Sequence, residues 1–361
     1  MALLFCDSFG IYETADIPTR WKGGNIFNGS VIDSAQLPPN SQAGAQVLDC
    51  TGTAGVLSDN YGSQSRYILG FRFYRSLNGS AGVICGLAHT LGIGSYGSSA
   101  YIQLSSSATY ITDGSNTILA TGPIIPYHEW HHFEVDFQQG LTGTANITIY
   151  KDGSPTPFLQ ALGVSTTYAV SEQFVLGRPA PSVGPPISQD NAYFADFYAF
   201  NGVAQTVGPY NFAAPLAPQG FGSAKMAFSV PDAPGIVSAW TPNGAATIWQ
   251  SIDQIPQDGD TTYASSATVG QAYQCPFGAL PAMQSLIAVQ LSTYARTDDA
   301  GPRAYQSGFY SGGTYGYSGV NQFLGGTYNY IMDEFTTNPV TGVAWTPAAL
   351  TGLQFGAELT V

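Results

Sequence analysis

Residues 128–132 read His-Glu-Trp-His-His, which contains the H-E-x-x-H spacing of His128, Glu129 and His132. On a helix that spacing sets two imidazoles about one turn apart, where both reach one Zn²⁺ and the glutamate serves as base. The flanks predict a different backbone. Pro123 and Pro126 precede the motif, and Phe133-Glu-Val-Asp-Phe137 continues it with two-residue alternation. On a strand, His128 and His132 point the same way but stand roughly 13 Å apart, too far for a single ion. The only other histidine outside the run is His89. The sequence therefore predicts a strand entering a sheet, with Trp130 as a packing aromatic, and no zinc site.

Carboxylates supply two further candidates. Asp253, Asp258 and Asp260 fall within eight residues of a loop-like stretch. Calcium takes oxygen ligands from such loops, so these three are the metal candidates, with a solvated acidic turn as the plainer alternative. Glu134 and Asp136 share a strand face at roughly 7 Å, inside the range used by paired glycosidase carboxylates. Alternation alone produces that spacing, so no catalytic role is assigned to them. Tyrosines recur at 305, 310, 315, 317, 328 and 330. Of these, Tyr310, Tyr315 and Tyr317 are the candidates for stacking on a sugar or packing on a partner. No G-x-S-x-G, P-loop or G-x-G-x-x-G occurs, so no catalytic or cofactor-binding residue is assigned, and calcium is the one cofactor left open.

The elements around these residues are strands. In Arg66–Arg75, residues Tyr67, Leu69, Phe71 and Phe73 share one face, and Arg72 and Tyr74 the other. In His132–Phe137, the inward residues are Phe133, Val135 and Phe137, and Glu134 and Asp136 point outward. Asn146–Tyr150 alternates again and runs into Asp152-Gly153, a hairpin signal. Further strands are expected at 174–176, 193–200, 226–230, 248–249, 273–277 and 285–294. Residues 305–330, rich in Gly, Ser and Tyr, suggest exposed loops or hairpin tips, and Thr346–Thr351 one short helical turn. The fold class is all-β: two antiparallel, jelly-roll-like β-sandwich domains, at 1–205 and 223–361. They are joined by a Pro/Gly linker at 206–222.

Composition agrees. The 361 residues are 44% hydrophobic and only 9% charged, with 22 Tyr, 20 Phe, 43 Gly and 23 Pro. Turn formers and flat side chains suit many short strands. The net charge of −13, with 10 Lys+Arg, excludes the cationic patch that nucleic acid or an anionic membrane requires. No window approaches the roughly 18 apolar residues of a membrane span, and the apolar start Met1–Phe5 lacks a basic leader. Cys6, Cys50, Cys85 and Cys275 show no C-x-x-C pairing. Reduced thiols are expected, and a Cys6–Cys50 bridge is left open.

The order of motifs carries a resemblance. Trp130-His-His-Phe-Glu-Val135, Ile147-Thr-Ile-Tyr-Lys-Asp-Gly153, Phe174-Val-Leu-Gly177 and Ala195-Asp-Phe-Tyr-Ala-Phe-Asn-Gly202 are similar to the strands of laminin-G and concanavalin A-like domains. The opening Met-Ala-Leu-Leu-Phe-Cys-Asp-Ser-Phe9 with Trp21-Lys22, and the stretches Trp249–Tyr263, Thr337–Pro347 and Leu353–Gly356, resemble structural proteins of tailed bacteriophages. The resemblance implies a non-enzymatic virion component in tail, fibre or head decoration, assembled in the host cytoplasm. It implies contacts with other virion proteins, a homo-oligomer with a trimer favoured, and lectin-like contact with host-surface glycans. The alternatives are a polysaccharide depolymerase on the same scaffold and a free carbohydrate-binding protein.

Overall fold

The structure is a computed structural model. It describes residues 3–9, 14, 17–21, 30–33, 46–50, 55–76, 82–92, 95–177, 192–202, 206–207, 210–211 and 226–361. The chain divides into two compact units, Met1–Met226 and Ala227–Val361. Both are antiparallel and built almost wholly of strands.

In the first unit, an eight-stranded sheet runs in the order β12 (Leu159–Val164), β11 (Ala145–Lys151), β10 (Trp130–Gln138), β5 (Arg66–Arg75), β14 (Ala192–Asn201), β3 (Gln46–Asp49) and β2 (Ser30–Asp33). Strand β1 (Leu3–Asp7) also pairs with β14. A six-stranded sheet runs β4 (Gly55–Leu57), β13 (Gln173–Gly177), β6 (Gly82–Gly92), β7 (Ser95–Leu104), β8 (Thr109–Asp113) and β9 (Ile118–Gly122). The core between them is aromatic. Phe133 lies opposite Phe71, Val135 opposite Leu69 and Phe137 opposite Tyr67, so the two central strands present one apolar face. Phe73 and Phe194 approach to 5.3 Å, and Phe174 and Phe197 to 5.1 Å. Each such ring, fully buried, contributes about 1.5–3 kcal/mol. Trp21 lies 4.7 Å from Phe5 and donates its indole N–H to buried Asp7 Oδ2 at 2.9 Å. Asp152 and Gly153 both adopt positive φ after β11, so the expected turn is present, though the chain rejoins the sheet only at Leu159.

Of the expected linker at 206–222, Thr206–Val207 and Tyr210–Asn211 form a two-stranded ladder, β15 and β16. The remainder lies outside the described residues. The unit boundary falls between Met226 and Ala227.

The second unit is a smaller sandwich. Its sheet runs β19 (Ala272–Pro276), β25 (Gln354–Leu359), β21 (Ala304–Ser311) and β22 (Thr314–Tyr317), with β23 (Gln322–Phe323) also on β21. A ribbon of β20 (Val289–Ala295) and β24 (Asn329–Phe335) faces it, and β17 (Thr241–Asn243) pairs with β18 (Tyr263–Ser265). Phe309, Phe335, Trp345 and Leu353 form one core cluster; Ile248, Tyr273, Cys275, Tyr305 and Ala357 form another.

Three local expectations are corrected. Residues 226–230 are not a strand. Trp249–Ser251 is a 3-10 turn. Much of 305–330 is ladder rather than loop, because Gly312 and Gly313, both at positive φ, close a tight hairpin between β21 and β22. The helical turn at Pro347–Leu350 is present, with Thr346 Oγ1 accepting from the Ala349 N–H.

Candidate active site

The side chains opposite the core of the eight-stranded sheet are not the solvated polar row that alternation implies. Glu134 is 2% exposed, Asp136 5%, His132 6% and Tyr198 6%. Glu134 and Asp136 do point away from the core, as expected, but they are dry. Buried ionisable groups persist only when paired and hydrogen-bonded.

The pairing follows from register. Tyr150, Glu134, Gly70, Tyr198 and Cys6 form one row across β11, β10, β5, β14 and β1. Gly70 leaves a gap in that row, and the Tyr198 ring fills it. A Cβ at Gly70 would lie 1.8 Å from Cζ of that ring. Crossing the gap, the Tyr198 hydroxyl donates to Glu134 Oε2 at 2.8 Å and stands 3.4 Å from His132 Nε2.

Tyr198 reaches this face through a β-bulge. Ala195 pairs with Arg72 and Tyr198 with Gly70, so β14 carries one extra residue. Asp196 sits there at φ 51°, a left-handed conformation that Asp tolerates better than most residues. The bulge sends Phe197 into the core and Tyr198 outward. It also brings Asp196 Oδ2 to 3.6 Å from Arg72 Nη1. Arg72 lies over the Trp130 ring at 5.2 Å. Further along, Arg66 grips Asp136 with two hydrogen bonds, at 2.8 and 2.7 Å.

Burial, aided by the Arg72 charge and only partly offset by Asp152, lowers the His132 pKa to about 4. The ring is therefore neutral at neutral pH, with its lone pair free of a proton, and a weaker base than an exposed imidazole. The His132 backbone N–H donates to Asp152 Oδ1 at 2.9 Å. Burial would raise the Asp152 carboxyl, but hydrogen bonds from Lys151, the His132 N–H and His131 outweigh it and hold the carboxyl below its usual range. The cluster thus combines a neutral imidazole, a phenol held by a carboxylate, and a guanidinium in one water-poor patch.

The other candidates lie elsewhere. His132 lies on the extended strand Trp130–Gln138, which His128 precedes at φ 62° rather than sharing a helix with it. His131 turns to Asp152, at 2.9 Å. Among the described residues, no three His, Cys, Asp or Glu side chains converge on a metal position. Asp253, Asp258 and Asp260 are not brought together. Asp258 accepts from the N–H and hydroxyl of Thr262, while Asp260 accepts from Arg296 and Tyr328. Tyr310, Tyr315 and Tyr317 do gather, on one face of the β21–β22 hairpin. All four cysteines are free, so Cys6 and Cys50 are not bridged. Among the described residues no helix is long and apolar enough to cross a membrane.

No family model matches the sequence, and no curated protein matches it. Among solved structures the chain is similar to an endo-β-1,4-glucuronan lyase from the fungus Trichoderma reesei. The identity is 17% and the TM-score 0.36, over 56% of this chain and 92% of that one. A PL-14 alginate lyase from Aplysia kurodai matches at 12% identity and TM-score 0.38, over 56% and 100%. A Trypanosoma rangeli sialidase matches at 11% and 0.33, over 48% and 27%. No residue role is transferred from them. The expectation of a non-enzymatic virion component is corrected here. The outward face of the eight-stranded sheet, to which no catalytic role was assigned, carries a buried cluster of Glu134, His132 and Tyr198.

Proposed function

We propose that the first unit is a glycan-cleaving enzyme that opens uronate-containing polysaccharide by β-elimination. The observation that carries this reading is the Tyr198 hydroxyl held between Glu134 and His132 with Arg72 one strand pair away.

Elimination needs three things at once: a cation to neutralise the uronate carboxylate, a base for the C5 proton, and an acid for the departing O4. Arg72 supplies the first, since a guanidinium binds carboxylate bidentately. His132, neutral at working pH, takes the C5 proton. The C5–H electron pair becomes the C4=C5 double bond as the C4–O4 bond breaks. Tyr198 gives its proton to O4, and Glu134 orients that hydroxyl. The 3.4 Å separation of Tyr198 Oη and His132 Nε2 lets the proton return to the phenol after turnover. A dry site strengthens each of these interactions.

The test is incubation of the full chain with polymannuronate, polyguluronate and polyglucuronate, following the ultraviolet absorbance of the unsaturated uronate. Appearance of that absorbance, lost in Tyr198→Phe and His132→Gln, is expected. New reducing ends without it, or no cleavage of any polyuronate, overturns the assignment.

A further inference from the structure

We propose that the second unit carries a separate binding site for a neutral glycan, built on the tyrosine ladder of the β21–β22 hairpin. The site stands on the second unit alone and does not depend on the chemistry assigned to the first.

The two-residue Gly312-Gly313 turn fixes the register, so Tyr310 lies directly opposite Tyr315. Their ring centroids are 4.8 Å apart, and Tyr315 and Tyr317 lie 5.8 Å apart with planes within 8° of parallel. These rings lie on the face opposite Phe309, so the core does not consume them. Tyr315 is 39% exposed. The Tyr317 ring leans over Gly308, where a Cβ would come within 2.7 Å of it. Burial and a hydrogen bond to Glu358 push the Tyr317 phenol far above its ordinary range, so it stays a neutral donor. Burial and the neighbouring Tyr310 and Glu358 push Tyr315 the same way.

The chemistry of this face selects its occupant. Near-parallel aromatic planes accept the axial C–H surface of a pyranose ring, while a carboxylate and phenols beside them meet its hydroxyls. Glu358 makes the face negative. Arg296 and Arg303, the cations among the described residues of this unit, are engaged by Asp260 and Asp299. A uronate would be repelled, so the ligand is neutral. A second observation lies in the same cross-strand row: Gln274, Gly356, Gly308 and Tyr317 align, and a Cβ at either glycine would meet the Tyr273 carbonyl or the Tyr317 ring. Gln274 is 1% exposed, and neither its amide nitrogen nor its oxygen has a hydrogen-bond partner. Unmet polar capacity of this kind marks a place where a ligand hydroxyl is accommodated.

Calorimetric titration of the full chain with cellohexaose, maltohexaose and a polymannuronate hexasaccharide tests this. At least one neutral hexasaccharide should bind, with at least tenfold weaker binding in Tyr315→Ala. Tyr315→Phe, which keeps the ring, should stay within about threefold of the parent, and His132→Gln should leave this binding unchanged. Absence of binding by both neutral sugars, binding indifferent to Tyr315→Ala, or a preference of the Tyr315 site for the uronate probe overturns the proposal. Absence of elimination activity in the parent chain, with neutral-sugar binding present, would sink the first-unit reading and leave this one standing.

Discussion

The Tyr198 ring lies directly across Gly70, too close to keep its place if position 70 carried a Cβ. The relationship joins two strands of the central sheet and sets the phenol's reach. With a Cβ at position 70, the ring must lift or swing, and its hydroxyl leaves Glu134 and His132. Gly70→Ala is therefore expected to lower kcat on polyuronate by about 10²-fold or more, near the effect of losing a positioned proton donor. KM should change little, because Arg72 is untouched. Gly70→Ala added to Tyr198→Phe should cost almost nothing further, since the hydroxyl it displaces is already gone. Steady-state kinetics on the two single variants and the double variant check this. Additive losses would show that Gly70 acts elsewhere.

Much of the scaffold was legible in the residues, and the site was not. Alternation in Arg66–Arg75 and His132–Phe137 located the two central strands and assigned their faces correctly, because a buried sheet face selects for apolar side chains at every second position. The same pattern hid the site. Alternation says which way Glu134 and Asp136 point; it does not say whether water reaches them. Tyr198 was hidden by the bulge at Asp196, which breaks the two-residue period at the position that matters. The H-E-x-x-H run drew attention to His132 for the wrong chemistry. Its role depends on Tyr198, 66 residues distant. Gly70 gave no signal, since a glycine inside an apolar strand records a close approach without naming what approaches. In the second unit, the Gly and Tyr content of 305–330 suggested loops or hairpin tips; a hairpin tip is present at Gly312-Gly313, and much of the rest is ladder.

His132 makes the fold sensitive to acid. Its pKa drops from 6.5 to about 4 on folding, chiefly through burial. Between those values the unfolded chain holds a proton that the folded chain refuses. The stabilisation is fully present above pH 6.5 and is lost as pH falls toward 4. The lowering corresponds to roughly 3 kcal/mol at most. Denaturant midpoints of the parent chain and His132→Gln, measured across pH 4 to 7, should show the variant with a flatter dependence over that window. Parallel slopes would mean that the ring titrates alike in both states.

Arg72 decides whether the site prefers acid sugars. A uronate carboxylate gains charge as the C5 proton leaves, so a guanidinium against it binds the transition state more tightly than the ground state. Arg72→Ala should lower kcat/KM on polyuronate by about 10²–10³-fold, through both constants. Arg72→Lys should recover only part of this. It keeps the charge but loses the two-pronged contact and the guanidinium packing over Trp130. The sharper readout is the substrate. Methyl esterification removes the carboxylate charge before the enzyme meets it, so the parent chain should prefer the free acid, and Arg72→Ala should lose that preference or reverse it. Kinetics on matched acid and ester polyuronates give the ratio directly. An unchanged ratio in Arg72→Ala would place the carboxylate away from Arg72 and require another cation for the reaction.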